Sequence, residues 1–146
     1  MSFTADMFGG DLYAAQLMQD LSYISHLWDD LIDKNNVRSD DEINSAFERA
    51  LINVPSNPFF QKHFSALIPL MYTGIIGYMT ANRMEQTKDA HSVEIAHGLR
   101  YAIGNVAAYA VSITNARPAA IDILSTAWKE WLPERFDAYR NEHAGE

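Results

Sequence analysis

Along this chain apolar side chains return every three or four positions, and nowhere do they alternate with polar ones as a half-buried strand requires. The first such stretch runs from about Asp11 to Lys34, where Leu17, Leu21, Ile24, Trp28 and Leu31 form a stripe with Leu27 and Ile32 beside it. Asn35 and Asn36 are expected to stop that helix. Ser39, followed three positions later by Glu42, is a capping box, in which hydroxyl and carboxylate each satisfy an amide left open at a helix start. It predicts a second helix reaching about Val54 and ended by Pro55. Asn57 and Pro58 read as the cap and first residue of a third, extending to about Thr87, with Pro69 expected to kink or split it. A fourth helix, from Asp89 or Ser92 to about Thr114, is apolar almost all round through Ile95, Leu99, Ile103, Val106 and Val111, and so is expected at the centre of the fold. Pro118 opens a fifth carrying Ile121, Leu124, Trp128 and Trp131; Pro133 interrupts it, and a polar piece from Glu134 to about Asn141 follows.

Short connections between such helices favour antiparallel neighbours. The expected fold class is therefore all-α: a single compact bundle of five to six mostly antiparallel helices over residues 1–146, with 1–10 as an N-terminal lead and 142–146 as a frayed tail. A chain of 146 residues that is 48% apolar can bury one core, which excludes a disordered or low-complexity protein. The net charge of −8 and the scatter of the basic residues leave no patch for nucleic acid or an anionic membrane to bind. With no cysteine, disulfides, thiolate catalysis and zinc–thiolate sites are excluded. The start of the chain has neither a basic segment nor an apolar run, and no stretch of roughly 18 apolar residues follows, so cytoplasmic residence is expected.

Chemistry concentrates first on the opening helix. At 100° per residue, His26, Asp29, Asp30 and Asp33 share an arc of about 100° opposite the apolar stripe. Such a face ordinarily meets solvent. Yet three acids within two turns repel one another, they sit toward the helix C-terminus where the dipole disfavours anions, and only Lys34 is nearby. A bound cation or a basic partner would relieve both penalties. Carboxylates spaced i, i+1 and i+4 can hold Mg²⁺ or Mn²⁺ bridged to phosphate, and His26 can serve as an auxiliary ligand or base.

The segment Asp29-Asp30-Leu31-Ile32-Asp33 is an intact DDxxD, and its context His26-Leu27-Trp28 before and Lys34 after resembles the first metal motif of the class I isoprenoid synthases. That resemblance implies an all-helical fold in which Asp29, Asp30 and Asp33 bind Mg²⁺ that grips a diphosphate leaving group. The same HxWDDLIDK segment is similar to one in small uncharacterised bacteriophage proteins. A looser resemblance to the all-α NTP pyrophosphohydrolases implies clustered acids, Mg²⁺ and dimerisation.

A second constellation lies on the fourth helix, where Glu94, Gly98, Tyr101, Asn105 and Ser112 fall on one stripe and His91 and His97 flank Glu94. In a central helix Glu94 would face an interior polar site and complete a metal cage with His26, Asp29, Asp30 and Asp33. In an exposed first turn it would instead complement the dipole and pair with Lys88 or Arg100. His91 and His97, six apart, diverge by about 120° and are expected to face solvent rather than zinc. Tyr78, Asn82, Glu85 and Asp89 share a side of the third helix and could supply second-site ligands, although such a cluster is usually a solvated helix end. Phe59, Phe60, Phe64, Tyr72, Trp128 and Trp131 are expected in the core or a dimer interface, and Met71, Met79 and Met84 in the core. Three functions stay open: a Mg²⁺-dependent protein acting on a diphosphate-containing small molecule, with Glu94 and His26 as catalytic candidates; a non-enzymatic interaction protein forming a homodimer; and a pyrophosphohydrolase-like enzyme.

Overall fold

The computed structural model describes residues 2–34 and 36–143. Among them the protein is all-α, without a strand, and it divides into two compact units, Met1–Phe64 and Ser65–Glu146.

In the first unit the lead is not loose. A 3₁₀ turn over Ala5–Phe8 closes at Gly9 (φ 61°), buries Phe8 completely and leaves Phe3 only 6% exposed. Gln19 donates to the Phe3 carbonyl at 2.8 Å, tying this turn to helix α1 (Leu12–Asp33). The Asp11 carboxylate accepts from the Ala14 amide and so starts α1; Lys34, in the left-handed region at φ 58°, ends it. The stop therefore falls one residue before Asn35, which itself lies outside the described residues. Ala14, Ala15, Leu17, Met18 and Leu27 are buried, whereas Leu31 and Ile32 are 44% and 53% exposed, so the expected stripe loses its cover in the last turn.

The capping box forms as expected and opens α2 (Asp40–Glu48). Pro55 does not end the helical course at Val54. A widened π turn over Arg49–Asn53 leads into α3 (Val54–Ser56), with the Val54 amide reaching back five residues to Arg49. Such a turn relieves the pressure a proline ring puts on the preceding carbonyls. The break comes at Asn57, whose buried side chain accepts from the Phe60 amide at 3.0 Å to cap α4 (Pro58–Lys62) and donates to the Tyr13 carbonyl at 2.9 Å, pinning α4 to α1. Phe59 and Phe60 are buried there, as expected.

Helix α5 (Phe64–Gln86) runs unbroken through Pro69, and the interruption expected at that proline falls instead at His63. In the second unit α5 buries Leu67, Gly74, Gly77, Tyr78 and Ala81. The long fourth helix is not one helix. It is α6 (Ala90–Leu99), capped by Asp89, and α7 (Gly104–Thr114), separated by a turn. The turn brings its backbone against α5 where α5 has no side chain: a Cβ on Gly74 would lie 2.9 Å from the Ile103 Cα, and one on Gly77 would lie 3.2 Å from the Leu99 carbonyl oxygen. Gly104 likewise sits under the Trp128 ring of α8 (Arg117–Trp131). Helix α9 (Phe136–His143) is more than a polar tail, since Tyr139 is 1% exposed in a cluster with Ala81, Val93 and Ala96. Residues 142 and 143, expected to fray, finish this helix, and 144–146 lie outside the described residues.

Two expectations about apolar surface need correction. Met79, expected in the core, is 54% exposed; Phe64 and Tyr72, expected in the core or a dimer interface, are 51% and 66% exposed and so lie outside the core. Residues 64–82 carry no charged side chain, and α5 is the one helix among the described residues long and apolar enough to cross a membrane by length and composition.

Candidate functional site

The DDxxD segment forms the last turns of α1, with His26 and Asp33 exposed and Asp29 and Asp30 partly buried. Asp30 is held from the following loop. Arg38 donates to its Oδ2 from Nε at 2.7 Å and from Nη2, and Asn36 donates to its Oδ1 at 3.3 Å. Arg38 also reaches Glu42 Oε2 through Nη1 at 2.5 Å, while Glu42 Oε1 accepts from the Ser39 amide at 3.2 Å. Asp30, Arg38 and Glu42 thus fasten the end of α1 to the start of α2. The basic partner that relieves the crowding of acids is Arg38, four residues before Glu42 and eight after Asp30. Its i, i+4 spacing to the capping glutamate was the signal available in the sequence.

The Glu42 carboxyl is held below its ordinary value of 4.5, first by the Arg38 hydrogen bond and then by the Ser39 amide. Asp89, which caps α6, is held below 3.8 by the Ser92 amide and hydroxyl. Carboxyls with lowered values stabilise the fold above their unfolded titration and lose that contribution as pH falls through the folded one. Urea midpoints should therefore hold steady above about pH 5 and decline between about pH 4.5 and 2, and Glu42→Gln should flatten part of that decline. An unchanged slope in Glu42→Gln would assign the acid sensitivity to other carboxyls.

His26 Nδ1 lies 2.7 Å from the Ser22 carbonyl, which can only accept. The neutral ring therefore carries its proton on Nδ1 and keeps its lone pair on Nε2. His26 lines an open depression of about 300 Å³ with Gln19, Ser22, Tyr23 and Arg38. Arg49 stacks over Tyr23 at 4.2 Å and bonds Asp20 at 3.0 Å. Arg38, the cation lining this depression, is engaged by two carboxylates, so it has little charge left for an anion.

Among the described residues, no group of three or more His, Asp and Glu side chains is placed to hold a metal ion. A cation at Asp30 would meet the guanidinium charge of Arg38 and would have to displace it. Glu94 belongs to the other unit, where it is exposed with Oε2 3.8 Å from His91 Nδ1. Gly98, Asn105 and Ser112 are exposed as well, so the stripe expected to face an interior polar site faces outward. The inward side chains of α6 are Val93, Ala96 and His97. His97, expected in solvent, is 9% exposed; its Nε2 donates to the Glu134 carbonyl at 2.9 Å and its ring packs 4.9 Å from Tyr139 and 5.5 Å from Phe136.

The largely covered carboxylate here is Glu85, not Glu94, and it is not on a solvated helix end. Its Oε1 accepts from Arg100 Nη1 and from the Tyr139 hydroxyl, and His143 Nδ1 lies 3.8 Å from Oε2. The Glu85 and Arg100 side chains are 14% and 11% exposed. The guanidinium stands 5.3 Å from the Tyr78 ring centre and 5.9 Å from that of Tyr139. Burial, and then the bond to Glu85, push the Tyr139 hydroxyl well above its ordinary value, so it remains a donor at neutral pH. Glu85 thus joins α5, the α6–α7 turn and α9 through one charge. No family model, no curated protein and no solved structure matches the chain.

Proposed function

We propose that this protein works by binding another macromolecule rather than by catalysis. The observation that carries this reading is the uncharged outer face of α5, where Tyr72 is 66% and Met79 54% exposed. A soluble helix ordinarily covers its outer face with charged and polar side chains, and contiguous apolar surface marks an interaction site. Two carboxylates that could have served chemistry, Asp30 and Glu85, are engaged in joining helices. The competing reading places Mg²⁺ on Asp29, Asp30, Asp33 and Glu94 and a diphosphate beside them, and it requires Asp30 to release Arg38.

Calorimetric titration of Mg²⁺ and Mn²⁺, with and without pyrophosphate, separates the two. Wild type and Asp29→Asn/Asp33→Asn should both give only heats of dilution at millimolar metal. Saturable binding in wild type that disappears in the double variant would replace the interaction reading with metal-dependent diphosphate chemistry.

A further inference from the structure

We infer that the exposed face of α5 is the seam of a homodimer and that a second copy of this chain covers it. The inference rests on the interaction reading above and names its partner. Ile68, Tyr72, Ile75 and Met79 are 38%, 66%, 40% and 54% exposed. Their separations of four, three and four residues are those of the seam at which two helices interlock, with Ile76 (41% exposed) alongside. The opposite side of α5 already packs inside its own unit through Leu67, Gly74, Gly77, Tyr78 and Ala81. The seam is thus a second apolar face on one helix, left over after the core is complete.

Size and charge favour a second copy. The five side chains present roughly 500 Å² per copy and about 1,000 Å² over a pair, where specific interfaces begin, before their polar neighbours are counted. Two chains of charge −8 repel over most of their surfaces, and they meet with least penalty where neither carries a charge; residues 64–82 have none. A lipid surface fits less well. Acyl chains impose no heptad spacing, and the acidic chain is repelled by anionic headgroups.

The absence of native cysteine makes the test direct. Wild type should sediment as a concentration-dependent dimer, and Ile75→Cys should cross-link to a covalent dimer on oxidation while the exposed Ser125→Cys does not. Tyr72→Asp should raise the dimer dissociation constant about 100-fold or more with its circular dichroism and melting unchanged. A monomer at the highest soluble concentration, or a dimer that ignores Tyr72→Asp and fails to cross-link through position 75, overturns the inference. So does flotation of wild type with phosphatidylcholine vesicles that Tyr72→Asp abolishes, which would make lipid the occupant. The metal titration is independent: saturable Mg²⁺ binding by a dimer overturns the interaction reading and leaves the seam, whereas a monomer that binds no metal overturns the seam alone.

Discussion

Glu85→Ala should destabilise the second unit by about 1–3 kcal/mol, the cost typical of leaving largely covered hydrogen-bonding groups without their partner. The substitution leaves Arg100, 11% exposed, without the carboxylate that α5 supplies, and leaves the Tyr139 hydroxyl without its acceptor. Both penalties fall on groups that cannot reach bulk water easily, and both act on the same three elements. Glu85→Gln keeps the shape and one acceptor oxygen but removes the charge, so it should fall between wild type and Glu85→Ala. Urea unfolding followed by near-ultraviolet circular dichroism reads both variants. A loss below about 1 kcal/mol in Glu85→Ala would show that water replaces the carboxylate and that the hub is peripheral.

The second large effect is expected from a pair of glycines that propensity alone would treat alike. Alanine in place of a helical glycine gains about 0.5–1 kcal/mol from backbone entropy. At Gly98 a new Cβ meets nothing within 4 Å, so Gly98→Ala should raise stability by that amount. At Gly74 the same methyl would lie 2.8 Å from Ile103 Cδ1 and 2.9 Å from its Cα. The Cδ1 can rotate away, but the Cα is backbone, and moving it separates the α6–α7 turn from α5. Overpacking of this kind costs about 1–3 kcal/mol, enough to outweigh the propensity gain. Thermal melts of the two variants should shift in opposite directions. Equal stabilisation of both would mean that the turn is not seated against Gly74.

How much of this was readable beforehand differs from element to element. Helix starts were legible because a cap is a local device: Ser39 with Glu42, Asn57 before Pro58, and Asp89 each satisfy amides within three residues of themselves. Helix interiors were less so. The expected break at Pro55 is displaced by a π turn, and at Pro69, the sixth residue of α5, the helix continues despite the missing amide. The expected single helix through Gly98 and Gly104 divides, because α5 offers the turn a place to pack that no periodicity reveals.

The fold class, the absence of thiol chemistry, and the identity of the acidic and apolar stripes were legible in the chain, since they follow from residue types and from the 3.6-residue repeat. Which members of those stripes are covered depends on packing between distant segments. Asp30 is a fastener because Arg38 returns from the next loop; Glu85 is largely covered because Arg100 and Tyr139 converge on it from distant positions; Tyr72 is exposed because α5 turns Gly74 and Gly77 inward. A stripe states that side chains share a face, and what meets that face is supplied by residues far along the chain, whose approach no local pattern encodes.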